Sequence, residues 1–313
     1  MKHIILAHLA LLGVNVLYGA NHLLAKGVMP EYLGPNAFIF FRVSVTTLLF
    51  FILFTLFIRE KVEKKDYIRL AICGFFGVAM NQLFFFNGLE LTSAFNAGVI
   101  MTSTPILVVV LAFFILKEKI TLLKSLGVLV GAVGAIALML VGHVDGFDSS
   151  IGDVFILINA LSFGIYLVLV KPLMAKYNPL TVITYNFLFG FLFVLAYPSV
   201  LSELIHANYG AIPFEILLKI GYVIIGATFF TYLLNIYALK HVSPSVSGSY
   251  IYTQPMMVIF FTILFAQIGW SEDYTASITF EKIVYMLMIF TGVFLISRST
   301  YLQRKKTKKL GNG

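Results

Sequence analysis

Ten stretches of the chain are long, apolar and free of Asp, Glu, Lys and Arg. Seven are plain: residues 70–89, 91–116, 125–142, 154–170, 177–202, 220–239 and 242–271. Residues 4–25, 43–58 and 283–297 supply three more. A helix rises 1.5 Å per residue, so about 20 apolar residues cross the ~30 Å hydrocarbon core of a bilayer. Leu, Ile, Val and Phe occur in blocks rather than in alternation, which predicts helices and not barrel strands. The pattern predicts an all-α polytopic membrane protein with ten transmembrane helices.

Polar positions interrupt these stretches with helical spacing. In the first span His8, Asn15, Tyr18, His22 and Lys26 share one stripe. Asn159, Ser162 and Tyr166 do so in the sixth, Thr228, Thr231 and Asn235 in the eighth, and Ser243, Ser247, Tyr250 and Gln254 in the ninth. Such a stripe turns toward protein or water and away from lipid. Asn21, Asn81, Gln82, Asn96, Thr102, Asn186 and Tyr252 add polar groups, so the expected solute-contacting set is Asn15, Asn21, Asn81, Gln82, Asn96, Thr102, Tyr166, Asn186, Asn235, Tyr250, Tyr252 and Gln254. Packing and interhelical hydrogen bonding, worth about 0.6–2 kcal/mol each, are the competing use of such side chains. Gly127, Gly131 and Gly134 read as a close-packing seam.

The chain also repeats itself. Residues 88–105 align without a gap on 238–255, a shift of 150, which matches Leu89 with Leu239, Gly98 with Gly248 and Pro105 with Pro255. Upstream, Tyr18-Gly19 and Lys26 match Phe163-Gly164 and Lys171, and Pro35 and Arg42 face Pro179 and Asn186. Each copy holds five spans. Five is odd, so the second copy is expected upside down, the architecture in which secondary transporters place their sites at the repeat interface. The expected units are 1–147, 148–300 and a basic tail at 301–313. Pro105 and Pro255 each remove a backbone donor in mid-span and are expected to kink two symmetric helices, giving flexible points for gating.

Composition agrees: 60% of residues are hydrophobic, 12% are charged and mean hydropathy is +0.96. The net charge of +8 is not a nucleic-acid signal, because the charges follow the spans. Eighteen of the 22 basic residues fall on one side: Lys2, five in 59–69, three in 117–124, Lys171, Lys176, Lys240 and six from Arg298 to Lys309. The opposite loops hold Asp145, Asp148, Asp153, Glu203, Glu215, Glu272, Asp273 and Glu281. Both termini are therefore expected in the cytoplasm, with the basic tail against anionic lipid headgroups. The apolar amino terminus reads as a retained helix, since Tyr18-Gly19-Ala20 lacks the small residue that signal cleavage needs.

Chemistry beyond binding has little to build on. The single cysteine, Cys73, lies in an apolar span, the six histidines are scattered, and no phosphate loop, paired carboxylate or HExxH motif occurs. Neither an enzyme nor a cofactor is expected.

The segment NGLELTSAFNAGVIMTSTPILVVVLAFFILKEKIT, then GVLVGAVGAIAL, with YGANHLLAKGVMP and the FFR at 40–42, resembles EamA domains of the drug/metabolite transporter superfamily, present here as two repeats. That resemblance implies ten helices around a cavity lined by the first, third, fourth, sixth, eighth and ninth. It implies movement of small organic solutes such as amino acids, often outward, across a prokaryotic inner membrane.

Three charges map near the outer ends of their helices: Lys26, Arg42 and Glu90. A buried guanidinium needs a partner, so Arg42 is expected to pair with Glu90, with Lys26 beside them or snorkelling to headgroups, as a cluster that closes the outer side. The function expected is secondary transport by alternating access. A facilitative uniporter is the alternative in mechanism, and a membrane-embedded enzyme or sensor the alternative in class. Oligomeric state is open, a homodimer being the assembly considered.

Overall fold

The computed structural model describes residues 2–58, 60–116, 121–141, 149–239, 241 and 250–310. Among these residues every extended element is a helix. The first copy contributes α1 (Lys2–Lys26), α2 (Pro35–Phe57), α3 (Lys64–Leu91), α4 (Ala94–Met101), α5 (Thr104–Leu116) and α6 (Leu122–Val141). The second contributes α7 (Ser150–Lys176), α8 (Pro179–Leu195) and α9 (Pro198–His206). Three joined segments, Phe214–Gly221, Tyr222–Phe230 and Thr231–Leu239, form α10, and α11 (Gln254–Ile268) and α12 (Phe280–Leu310) complete it.

Local chemistry sets the ends. Pro35, Pro179 and Pro198 open their helices in the first turn, where a missing N–H costs nothing. Ser93, Ser149 and Asn178 cap α4, α7 and α8 by accepting the N–H of Asn96, Gly152 and Leu180. Gly269, at φ 72°, takes the left-handed turn that ends α11. Several helices run past the charge-free stretches because Arg42, Asp153, Lys171 and Lys282 lie inside helices rather than at their ends. The basic tail continues α12 as helix to Leu310.

Eight described helices, with α4 and α5 taken together, are long and apolar enough to cross a membrane, nine if α8 and α9, bent by 73°, count as one span. The remaining apolar helix, α11, has 15 residues. The described residues thus carry eight or nine of the ten expected spans. The expected boundary at 147/148 and the ninth-span positions Ser243, Ser247 and Gly248 lie outside the described residues, as does the side chain of Tyr252.

The fourth span is not one helix. Thr102 and Ser103 form a turn between α4 and α5, and Pro105 sits in the first turn of α5. A short 3-10 turn, Tyr250–Thr253, precedes Pro255 at the start of α11. Pro105 thus follows a break in its span, and Pro255 lies in the first turn of α11. The hydroxyls of Thr102, Ser103 and Thr104 donate to the carbonyls of Val99, Ile100 and Met101, the last of which Pro105, lacking an N–H, leaves open.

The main packing partners join one copy to the other: α1 with α10, α3 with α7, α1 with α11, α5 with α7, α2 with α8, and α6 with α12. Exchanging the copies maps this set onto itself. The α6–α12 contact is the predicted glycine seam, where a Cβ on Gly127 would lie 2.5 Å from the carbonyl oxygen of Gly292. Only bare backbone fits there.

Candidate solute site

Arg42 enters the bundle on α2 and is 4% exposed. Its Nη1 donates to Oε1 of Gln82 at 2.8 Å, its Nε donates to the hydroxyl of Thr228, and its guanidinium carbon stands 4.8 Å from the ring centre of Phe86. Gln82 and Phe86 are one turn apart on α3, and Thr228 belongs to α10, so one side chain ties three helices from both copies. The expected pairing with Glu90 is not made. Arg42 is seven residues into α2, about 10 Å from its start, whereas Glu90 is one residue from the end of α3 and only half-buried. The two charges enter at the same end but stop at different depths.

Beside this group Gly77, Val78, Tyr166, Ile183, Asn186, Phe187 and Tyr232 line a narrow crevice with no room for a water molecule. Asn186 donates to the Tyr166 hydroxyl at 3.4 Å, and its side-chain oxygen is buried without a partner. Phe187, Tyr232 and Phe50 pack ring on ring with centroids 5.1–6.1 Å apart. Among the described residues aromatic side chains fill the middle, where the resemblance implies a wide cavity. A Cβ on Gly77 would come within 2.5 Å of the Tyr166 ring, so only glycine lets α3 and α7 approach this closely.

The backbone is irregular at this level in both copies. Residues Phe75–Ala79 of α3 and Tyr222–Phe230 of α10 are wound as π-helix, a feature that frequently accompanies functional sites. Loosened carbonyls find side-chain partners. The Ser162 hydroxyl donates to Phe76 O at 2.6 Å and the Thr228 hydroxyl to Val223 O at 2.8 Å. Asn159 donates to Asn81 O at 2.7 Å, and Asn81 returns a bond to Asn159 O at 3.4 Å. Asn81 is thus spent on joining α3 to α7.

Repeat-related positions carry different chemistry. Arg42 matches Asn186 (186 − 42 = 144), Gln82 matches Tyr232 (232 − 82 = 150), and Asn21 matches Tyr166 (166 − 21 = 145). Asn21 is 2% exposed and its oxygen is unpartnered. Tyr232, Gly77 and Phe187 were not expected. Tyr232 was detectable as the mate of Gln82, but the other two carry no polar signal.

The remaining candidates lie elsewhere. The Lys26 ammonium donates to the carbonyls of Leu89, Glu90 and Thr92 at 3.0, 3.2 and 2.6 Å, capping the end of α3 rather than reaching for headgroups. Next to it the fully buried Asp153 accepts from the hydroxyl of Thr92 and from the Asn96 amide at 3.3 Å. Asn96 therefore belongs to this end of the bundle, and Asp153, expected in a loop, is its acceptor. Asn15 donates to Leu11 O of its own helix at 2.8 Å. Tyr250 bonds His8 at 2.8 Å near the amino-terminal end of α1, eighteen residues or about 27 Å from Lys26. Gln254 is buried with an unpartnered oxygen, and Asn235 is half-buried. Thr102 is committed to its turn.

Residues 5–140 and 150–298 match the EamA-like transporter family, once each. The chain is 28% identical over 195 residues to "Uncharacterized transporter YyaM" of Bacillus subtilis, covering 61% of this chain and 63% of the relative. It is 30% identical over 153 residues to "Uncharacterized transporter YetK" of the same organism, covering 47% and 46%. An uncharacterized transporter of Archaeoglobus fulgidus is 23% identical over 268 residues, covering 86% and 90%. The chain thus spans less than two thirds of the length of the first two relatives. A solved crystal structure aligns with TM-score 0.60 at 16% identity over 93% of this chain and 96% of that one, a likeness of fold.

Proposed function

The chain belongs to the EamA-like transporter family, and from that premise we propose that it is a secondary carrier moving small organic metabolites, amino acids or similar solutes, outward across a cell inner membrane. The proposed architecture is ten spans in two inverted copies, residues 1–147 and 148–300, with both termini in the cytoplasm. The tail from 301 lies along anionic headgroups. The observation that supports this most is that Arg42 bonds Gln82 while the repeat-mates of those two, Asn186 and Tyr232, share one lining with Tyr166, polar groups that are costly within a membrane unless used.

In this reading Arg42, Gln82, Tyr166, Asn186 and Tyr232 form the solute site. Alternating access opens the narrow space between them to one side at a time. The turns that precede Pro105 and Pro255 let α5 and α11 swing, and Lys26 and Glu90 belong to the closure at one end. The π segments of α3 and α10 relax as the space widens.

The reading is tested by expressing the chain in a host challenged with inhibitory amino acids, organic acids and their analogues. Protection against at least one solute with lowered internal accumulation is expected, and Asn186→Ala should abolish it at equal membrane abundance. Unchanged sensitivity and accumulation across the panel would contradict export.

A further inference from the structure

Arg42 is a positive charge in the interior with no carboxylate against it among the described residues. Its acceptors among the described residues are two neutral oxygens, those of Gln82 and Thr228, and the Phe86 ring lies over it. The ionisable side chains close enough to feel it are Tyr18, Tyr232 and His22. The ion pairs of the described residues, Lys65–Glu63, Lys176–Glu63, Lys176–Asp66 and Lys219–Glu215, do not include it. A guanidinium carries five N–H donors, and three of Arg42's have no acceptor among the described residues. Burying an uncompensated charge is expensive, and a purely structural tie between α2, α3 and α10 needs only a neutral amide.

We infer that Arg42 is the docking cation for a solute monocarboxylate with an apolar body. The planar fork of a guanidinium matches a carboxylate in two parallel bonds. One positive charge neutralises one negative charge, whereas a phosphate dianion would leave a net charge in a region of low dielectric. The body of such a solute meets aromatic walls: Phe86 lies over the guanidinium, and Tyr232, one turn past Thr228, leads to Phe187 and Phe50. The repeat-mate Asn186 brings no charge, so the site is one-signed and the solute is held in one orientation.

This inference rests on the carrier reading for its meaning, and its test separates the two. Purified full-length chain is heated with 3-phenylpropanoate or 4-methylpentanoate, with the matching amides, and with phenylphosphonate. The carboxylates should raise the unfolding temperature, and the amides and phosphonate should not. Arg42→Gln should abolish the effect, and Arg42→Lys, which keeps charge but loses the fork, should weaken affinity about tenfold or more. Amides acting as well as acids, or acids protecting Arg42→Gln as well as wild type, would overturn the assignment. So would the absence of any shift by the acids in wild type, a result that needs no variant to fold. Counterflow of unrelated solutes in the same preparation would then leave the carrier reading standing. Acid stabilisation without counterflow of the acids would uphold the Arg42 assignment and count against the carrier.

Discussion

Glu60 and Glu203 each hold the first turn of a helix in the other copy, α8 and α2 respectively. Glu203, beyond α8, accepts the N–H groups of Asn36 and Ala37 at the start of α2, at 2.8 and 2.9 Å. Glu60, beyond α2, accepts the N–H of Asn178 at 3.0 Å and the hydroxyl of Thr181 at the start of α8. Two antiparallel helices are thus latched at both ends by carboxylates on helix N-termini, where negative charge is favoured.

Either latch has to loosen if α2 and α8 part at that end during transport. Glu203→Gln should cost about 0.5–2 kcal/mol of stability, the usual worth of such a cap. In a Cys73→Ala background it should also speed the reaction of a cysteine at Phe41 with an impermeant maleimide. Glu60→Gln should leave that rate unchanged. Equal effects of both substitutions on the Phe41 site would mean that the two ends do not act separately.

Gly77→Ala should bring a methyl group against the Tyr166 ring and destabilise the fold by about 1–3 kcal/mol. Adding Tyr166→Leu should recover most of the unfolding temperature. Transport should stay low in the double variant, because Tyr166 is part of the proposed site. Full recovery of both properties would assign Tyr166 to packing alone.

The seam between α6 and α12 supplies a contrast. Gly292→Ala places a Cβ 2.5 Å from the Gly127 carbonyl, and a loss of about 1–3 kcal/mol is expected by the same reasoning. Per folded molecule, transport should be unchanged. A lowered rate in fully folded protein would tie the seam to the transport cycle.

Orientation is checked by thiol labelling in a Cys73→Ala background. A cysteine at Ser271 should react with an impermeant reagent from outside intact cells, and one at Lys64 should react only after the membrane is opened. The reverse pattern would invert every statement about inner and outer ends.

Much of this was legible in the sequence because the bilayer is a harsh solvent. Apolar runs located the helices, the 150-residue shift paired Pro105 with Pro255, and Gly127, Gly131 and Gly134 announced their seam. What failed were inferences of depth and of use. A charge in the sequence resembles a helix end, which sets Arg42 level with Glu90, but α2 begins seven residues earlier, at Pro35. Asp153 was read as a loop acid although Ser149 caps the helix that contains it. Periodicity puts Asn81, Asn159 and Thr102 on inward faces, but it does not tell that their side chains are consumed by neighbouring backbone. The π segments leave no sequence signature at all, since they depend on how α3 and α10 meet their neighbours.

The central claim is that this chain carries a solute through the polar centre shared by its two copies. Counterflow tests it most directly. Proteoliposomes of the purified chain are loaded with an unlabelled mixture of amino acids and short organic acids, then diluted into trace labelled members of the mixture. At least one label should accumulate transiently above its external concentration, and Asn186→Ala should abolish this without lowering the unfolding temperature. No accumulation of any label in wild-type vesicles, or accumulation undiminished in Asn186→Ala, would contradict the account.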